Sequence, residues 1–481
     1  MTEHFVLLIM ENLCSLQMVV NSVQTGLDAT FQEIGTWSPE LIRWQFFASS
    51  TGMFRIHPGI AQEKCYDFDP RSRYWYVSAS TGPKDIVILL DTSESMSFVP
   101  PSSGTSETLF KLAKSAIKHV LRTLNFVDYV AIVLFSTEAN QLTIQGKSTL
   151  MKATRANLFD LMEELDKVTL DLHTNFEAGF RLAFDILDRS ARVGRTANCH
   201  KTVLFLTDGA PTRGETDAAK LRNIVQQFNT DSDGNKIATI FTYSIGQYAE
   251  TAITKQIACD AGGVWSQIED VETSSLTEQL SQYYNYYGSL QKGETNIMWT
   301  EPIMDAFGAD EVVTAAKLII TKEPGEMGSN NISSSVIGVV GMHISVEGLL
   351  AKDTSSSRED FLTLLESLAL KCPQIEAGDN CALESLRQHV FKDDVLTYRQ
   401  DESKLCNLNS AQECLLPNNT ICHDRTFQYD ECEQQKLENQ DYVEASCCGS
   451  YDKSCPISSA CSVSFAQWLL SICALSMLVG S

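Results

Sequence analysis

Basic residues and long apolar runs are both scarce in this chain of 481 residues. Lys and Arg number 37 against 61 Asp and Glu, which gives a formal net charge of −24. This deficit argues against a nucleic-acid partner, because nucleic-acid-binding proteins neutralise phosphates with basic patches. No apolar run reaches the ~20 residues that a spanning helix needs, so a multi-span membrane protein is excluded as well.

Common catalytic and metal-knuckle motifs are missing too. The chain has no GxSxG nucleophile elbow and no HExxH helix, and no two of its cysteines form a CxxC pair. We therefore predict that the protein is not an enzyme. The length is about three times the ~150-residue prior for one domain and predicts two or three domains.

The cysteines that are present concentrate near one end. Eleven of the fifteen lie between Cys372 and Cys473. This density predicts a disulfide-stapled extracellular segment, with zinc binding as the alternative. Glycosylation sequons at Asn331 and Asn418 agree with a secreted glycoprotein. Cys199, by contrast, precedes an apolar strand and is predicted to lie in a surface loop.

The two ends of the chain differ in their targeting signals. Phe5–Met10 is a short apolar run that Glu11 interrupts, so no signal peptide is evident and we expect the natural start upstream or the first residues to be misassigned. Residues 461–481 end in an apolar run after small residues, as in the signal for a lipid (GPI) anchor. A short spanning helix and a buried helix are the alternatives. The predicted location is the extracellular face of the cell membrane.

Residues 85–288 alternate between apolar strands and amphipathic helices. Strands buried on both faces and separated by helices predict a doubly wound, mostly parallel α/β sheet. Such a sheet binds its ligands at the carboxyl ends of the strands. The predicted strands are residues 85–90, 129–135, 202–207 and 237–245, and the predicted helices include 109–124, 153–165 and 176–187.

Hydroxyl and carboxyl side chains follow two of these strands. Asp91, Ser93 and Ser95 leave the first strand, and Asp208 leaves a later one. Thr174 opens the helix between them and could reach the same point. Oxygen ligands of this kind suit Mg²⁺ or Ca²⁺. The first motif alone is better explained by helix capping or a turn, but a second Asp-Gly strand end and a Thr at a helix start, in the correct order along the chain, favour a divalent cation site.

On these residues, the region 85–288 resembles a von Willebrand factor A domain with a metal-ion-dependent adhesion site. The resemblance implies that Asp91, Ser93, Ser95, Thr174 and Asp208 coordinate the metal. It also implies that a carboxylate from a partner protein completes the coordination, which is binding without catalysis.

The flanking segments are similar to those of calcium-channel alpha-2/delta auxiliary subunits and related proteins. The segment Phe68–Tyr76, the Gly82-Pro-Lys-Asp-Ile junction and the run Val336–Gly341 carry this likeness. In that family the A domain is inserted in an α+β Cache module. The predicted domains are an N-terminal region with the first Cache-like segment (1–84), the A domain (85–288), a second Cache-like segment (289–365), a Cys-rich segment (366–460) and the hydrophobic anchor signal (461–481).

The Cache-like part offers a second candidate site. Arg73, Trp75 and Tyr76 match one half of the pattern that grips a free amino acid in family members. The other half departs, because His343 stands where an Asp would compensate the ammonium group. A purely structural role for these residues is the favoured interpretation, with a different carboxylate ligand as the alternative.

The predicted function is therefore metal-dependent protein binding at the cell surface. The favoured form is a channel auxiliary subunit that uses its metal site to grip the pore subunit. A stand-alone adhesion or matrix protein and a Cache-type sensor of small ligands are the alternatives.

Overall fold

The computed structural model describes residues 25–373 apart from 51, 60–67, 101–106, 145, 247, 269–279, 281–282, 285, 289, 292–294, 306–309, 323–333 and 353–356. All of these residues except Phe68 belong to one compact unit. The strands are β1 (Ile42–Ser49), β2 (Phe54–His57), β3 (Lys84–Asp91), β4 (Tyr129–Phe135), β5 (Ala139–Leu142), β6 (Met151–Lys152), β7 (His200–Thr207), β8 (Thr239–Ile245), β9 (Trp265–Ile268), β10 (Ile297–Trp299), β11 (Ile303–Met304), β12 (Glu311–Lys322) and β13 (Ser334–Ser345). The helices are α1 (Thr25–Trp37), α2 (Tyr74–Thr81), α3 (Leu109–Arg122), α4 (Arg155–Lys167), α5 (Phe176–Arg192), α6 (Ala218–Phe228), α7 (Ala252–Asp260), α8 (Val346–Lys352) and α9 (Arg358–Ala369).

The first sheet is mostly parallel and has the strand order β5-β4-β3-β7-β8-β9. Strands β4, β3, β7, β8 and β9 run parallel, and β5 and β6 pair antiparallel with β4. All eight residues of β3 are buried, as its uninterrupted apolar run predicts. The predicted mixed α/β fold is confirmed.

Helices cover both faces of this sheet. Alternate residues of β3 point to opposite sides, so Ile88 lies in a core with α3 and Val87 lies in a second core with α5. Helix α5 approaches its face closely at Gly179, where a Cβ atom would lie 3.2 Å from side-chain atoms of Leu89 and Phe135. This arrangement is the doubly wound architecture that the sequence predicts.

The second sheet is antiparallel and has the order β10-β12-β13-β1-β2, with β11 on β12. Strand β1 pairs with β13, for example at Phe46 opposite Gly341, although some 300 residues separate them in sequence. The parallel sheet therefore lies in sequence between two strands of the antiparallel one. The strand expected at 335–346 is β13, and the Cache assignment of this sheet stays a prediction.

A disulfide closes the end of the described chain onto the parallel-sheet region. Cys199, just before β7, is bonded to Cys372 with their Cα atoms 5.5 Å apart. Cys199 lies in a partly exposed bend before β7, as the surface-loop prediction has it, and its bond to Cys372 is a feature that the sequence analysis did not assign. Helix α9 runs to Ala369, across the predicted boundary at 365. The disulfide thus joins the first cysteine of the Cys-rich stretch to the A-type region.

Several predictions concern residues outside those described. They are the two sequons, the N-terminal 24 residues, the Cys-rich segment beyond residue 373 and the anchor signal at 461–481. Within the described ranges, none of the helices combines the length and the apolar character that crossing a bilayer requires.

Candidate metal centre

The candidate site lies at the carboxyl edge of the parallel sheet, between the neighbouring strands β3 and β7. Strand β3 ends at Asp91, and β7 ends at Thr207, directly before Asp208. Because these two strands pair in parallel, their ends lie side by side. The side chain of Asp91 is buried with no exposed surface, whereas Ser95 is exposed at the rim.

A continuous series of hydrogen bonds joins four of the predicted ligands. Asp91 Oδ1 accepts a bond of 2.9 Å from the backbone N–H of Ser93. The Oγ atoms of Ser93 and Ser95 lie 3.0 Å apart. Ser95 Oγ in turn donates to Asp208 Oδ1 over 2.8 Å. The two carboxylates and the two hydroxyls thus lie within one small cluster.

Thr174, the fifth predicted ligand, is held against the segment that follows Asp208. Its carbonyl accepts hydrogen bonds from the N–H groups of Thr212 at 2.8 Å and Arg213 at 3.1 Å. Its own N–H donates to Thr212 Oγ1 over 3.0 Å. The buried Thr174 therefore lies at the same edge of the sheet as the other four residues.

The turn into α5 is fixed by a cap beside Thr174. Asn175 caps the helix, with its Oδ1 accepting from the N–H of Ala178 at 3.1 Å. Gly214 packs on this cap, and a Cβ atom there would lie 2.4 Å from Asn175 Oδ1. The positive φ of 67° at Gly214 also favours glycine. Cap and glycine together keep Thr174 in place.

Burial disfavours the charged forms of the two carboxyl groups at the site. It raises the pKa of Asp91 to about 7, against hydrogen bonds from Ser93 and Thr207 that lower it. Burial raises the pKa of Asp208 as well. Within the described ranges, no Lys, Arg or His side chain hydrogen-bonds either carboxylate. A cation at this edge would supply the charge compensation that the protein itself does not.

The donor set fits a hard divalent cation. Two carboxylates and three hydroxyls offer oxygen ligands only, which Mg²⁺ and Ca²⁺ prefer. Among the residues with described positions, no cluster of three or more His, Cys, Asp or Glu side chains is arranged to hold a metal. A site for a softer metal such as zinc, which favours nitrogen and sulfur ligands, is therefore not indicated in this part of the chain.

Two supporting residues escaped the sequence analysis. Thr207 Oγ1 donates to Asp91 Oδ2 over 2.6 Å and so fixes the second oxygen of that carboxylate. Asp171 forms a parallel bridge with Ser93, and its side chain accepts from Ser136 Oγ at 2.9 Å. The position of Thr207 directly before Asp208 was the available signal, but its strand periodicity alone predicts only a buried side chain.

The residues of the second candidate site differ in their exposure to solvent. Arg73 is exposed at the start of α2, whereas Trp75 and Tyr76 are buried in the hydrophobic core. The Trp75 ring packs on Phe46 with 4.5 Å between ring centroids. His343 contacts the same Phe46 edge-on at 5.2 Å. Trp75 and His343 therefore pack on one shared aromatic ring.

His343 is unsuited to replace the missing Asp. Burial lowers its pKa to about 4, and neither ring nitrogen has a hydrogen-bond partner within the described part of the chain. A neutral imidazole offers no charge to an ammonium group. Trp75 and Tyr76 are part of the hydrophobic core, and a purely structural role for the region stays a prediction.

Similarity to known proteins identifies the class of domain. Residues 86–210, which hold most of strand β3 and strands β4 to β7 of the parallel sheet, match the von Willebrand factor type A domain family. A solved structure titled as von Willebrand factor type A from Catenulispora acidiphila is 16% identical with a TM-score of 0.36, and it covers 55% of this chain and 58% of its own. A likeness of this degree adds nothing about function.

The chain is homologous to alpha-2/delta subunits of voltage-dependent calcium channels. It is 30% identical over 345 residues to alpha-2/delta-3 of Rattus norvegicus, covering 69% of this chain and 30% of the relative. It is 28% identical over 335 residues to alpha-2/delta-2 of Homo sapiens, covering 67% and 26%. The chain thus matches under a third of these relatives' length. These matches confirm the resemblance stated from sequence and the prediction of a non-enzyme.

Proposed function

We propose that this protein is an extracellular, membrane-anchored auxiliary subunit of a channel, and that it binds the pore subunit through a divalent cation. The observation that carries the proposal is the hydrogen-bonded series from Asp91 through Ser93 and Ser95 to Asp208 at the carboxyl edge of the sheet. Two relatives are named as subunits of voltage-dependent calcium channels, which supports a channel as the partner.

In this mechanism the five predicted ligands hold the cation. Asp91 and Asp208 supply negative charge, and Ser93, Ser95 and Thr174 supply neutral oxygens. Bound Mg²⁺ or Ca²⁺ would contribute positive charge and an open position for an oxygen of the partner. Thr207 keeps Asp91 oriented, and the exposure of Ser95 leaves the cluster accessible from solvent.

The disulfide supports an extracellular location. Bonds such as Cys199–Cys372 persist in secreted and cell-surface proteins and are rare in the reducing cytosol. Attachment to the membrane through residues 461–481 is the part of the proposal that rests on the sequence pattern alone.

The test is a binding measurement between the purified full chain and a calcium-channel pore subunit, in Mg²⁺ with Ca²⁺ and again in EDTA. We expect binding that EDTA abolishes and that Asp91→Ala lowers at least tenfold, because a buried charged ligand is lost. Asp160→Ala serves as the matched control, since Asp160 is exposed on α4 away from the site. Binding indifferent to EDTA and to Asp91→Ala would reject the mechanism. Cation-dependent binding to matrix or adhesion proteins, without any to the pore subunit, would favour the adhesion alternative.

A further inference from the structure

Apolar side chains stand exposed beside the candidate metal centre. Phe98 and Val99 follow the β3 loop and are 48% and 42% exposed, and Leu172 is 65% exposed. Large apolar side chains on a surface are unremarkable when scattered, but grouped around a polar centre they indicate a contact surface. We call these three residues the apolar rim.

Backbone hydrogen bonds fix the apolar rim to the metal-binding loop. The N–H of Phe98 donates to the carbonyl of Ser95 at 3.0 Å, and the Phe98 carbonyl accepts from Leu109 at 2.9 Å. Leu172 follows Asp171, whose N–H donates to the Thr92 carbonyl at 2.8 Å. Phe98 is thus bonded directly to the predicted ligand Ser95 and is followed by Val99, and Leu172 follows Asp171, which forms a bridge with the predicted ligand Ser93.

A residue with a cationic side chain lies beside Thr174, on the segment that follows Asp208. Arg213 is exposed, and its N–H donates to the carbonyl of Thr174 at 3.1 Å. Neighbouring arginines on the helices pair with carboxylates, as Arg181 does with Glu177. Arg213 forms no ion pair with any residue that the structure describes. In a chain with a net charge of −24, an arginine that pairs with no described carboxylate and lies beside an acidic centre favours an anionic partner group.

We propose that this surface recognises a partner segment in which the metal-binding carboxylate is flanked by an apolar side chain and a second acidic residue. The apolar side chain packs on the rim of Phe98, Val99 and Leu172, and the second carboxylate pairs with Arg213. A guanidinium binds a carboxylate through two parallel hydrogen bonds, and aromatic and arginine side chains are enriched at interface centres. This inference rests on the proposed function, because the first carboxylate needs the cation.

The test uses a displayed library of random 12-residue peptides as the probe. The purified full chain is exposed to the library in Mg²⁺, and bound peptides are eluted with EDTA and sequenced. We expect the eluted peptides to be enriched in paired acidic residues with an apolar residue beside one of them. Enrichment of acidic residues without apolar neighbours, or of basic peptides, would overturn the proposal.

Variants then assign the two contacts. Phe98→Ser with Leu172→Ser should weaken an enriched peptide at least tenfold, which is the loss expected when one apolar side chain is no longer buried. Val193→Ser is the matched control, because Val193 is 62% exposed after the end of α5, at the opposite edge of the sheet. Arg213→Glu should weaken the peptide about tenfold, and Lys147→Glu makes the same charge change on an exposed residue near the start of β4.

Mg²⁺-dependent thermal stabilisation separates the two proposals. The wild type and all four variants should each show an increase in melting temperature with Mg²⁺, because none of the changed side chains is a predicted ligand. If this increase is present and the rim and Arg213 variants bind the peptide like wild type, the inference of this section is wrong and the metal site stands. If Mg²⁺ produces no increase in the wild type and EDTA elutes nothing, the proposed function itself fails.

Discussion

Two buried carboxylates at opposite edges of the parallel sheet, Asp128 and Asp91, differ in whether a cationic side chain compensates their charge. At the amino edge, Lys84 Nζ lies 2.8 Å from Asp128 Oδ2, and both side chains are almost completely buried. At the carboxyl edge, Asp91 is buried to the same degree, but among the residues that the structure describes only Ser93 and Thr207 donate hydrogen bonds to it. The Lys84–Asp128 pair carries its own cation and Asp91 does not, and Asp85 at the amino edge is held in the manner of Asp91, by the Thr196 hydroxyl and the N–H of Ala197.

This difference separates a structural carboxylate from one available for binding. A buried charge is costly unless it is paired, so each edge needs a compensating cation. Burial raises the pKa of Asp128, and the Lys84 ammonium acts against that rise. The amino edge is also tied to the antiparallel sheet, since Asn125 Nδ2 donates to the carbonyl of Trp299 over 2.7 Å. The amino edge is therefore closed, and the carboxyl edge is suited to a ligand from outside the chain.

The largest expected effect on stability comes from removing the Lys84 cation at the amino edge. Lys84→Met should lower the free energy of unfolding by about 3–5 kcal/mol, because it leaves Asp128 buried without its cation. Urea unfolding followed by circular dichroism measures the loss. Adding Asp128→Asn to the same variant should recover most of it, since no buried charge then remains. A loss below about 1 kcal/mol in the single variant would contradict the comparison.

The disulfide at the amino edge should matter nearly as much. Replacing Cys199 and Cys372 together by serine should lower the free energy of unfolding by about 2–4 kcal/mol, because the bond closes a long loop in the unfolded chain. Their separation is 173 residues. Urea unfolding with and without reductant provides the measurement. Reductant should destabilise the wild type more than the double variant, in which only the other cysteines can respond, and equal sensitivity of both would argue against this pairing.

At the carboxyl edge we expect a different effect on the free energy of unfolding. In buffer without divalent cations, Asp91→Asn should not be less stable than wild type, because it removes a buried carboxyl group that has no cation of its own. Mg²⁺ at a hundred times its dissociation constant should stabilise the wild type by about 2.7 kcal/mol and the variant hardly at all. Asp160→Asn is the control and should respond to Mg²⁺ like wild type. A variant that gains as much from Mg²⁺ would show that Asp91 is not a ligand.

The candidate ligands at the carboxyl edge could be predicted from the sequence because each motif that indicates them is local. Asp91 and Asp208 each follow an apolar run, and parallel strands bring such ends together. The hydroxyls of Ser93 and Ser95 lie on the same short loop. Thr207 was missed because a buried strand residue gives no sign that its hydroxyl faces a carboxylate.

The remaining features depend on contacts between distant residues. Spacing cannot reveal which cysteines pair, so the Cys199–Cys372 bond was not predicted. The pairing of β1 with β13 likewise joins residues at the two ends of the described chain. Trp75 and Tyr76 match a ligand-binding motif in sequence, but only the packing of Trp75 on Phe46 shows that they belong to the core.

The smallest predicted effect is a dependence on pH at the amino edge. His200 begins β7 and stacks on Tyr287 with 4.8 Å between ring centroids, and its Nε2 atom has no partner among the described residues. Burial lowers its pKa from 6.5 to about 4. The unfolded chain therefore binds this proton more readily, so the contribution of neutral His200 to stability is complete above pH ~6.5 and is lost as the pH falls toward ~4. At about pH 5.5 the wild type should have lost about 1.4 kcal/mol of its free energy of unfolding through this group.

His200→Phe keeps an aromatic ring against Tyr287 and should lose correspondingly less stability between about pH 7.5 and 5.5, as measured by urea unfolding at each pH. His343 and the buried aspartates titrate in both proteins, so the difference between the two isolates His200. Parallel pH profiles for the two proteins would mean that the ring at position 200 is solvated and that the amino edge is less closed than its geometry indicates.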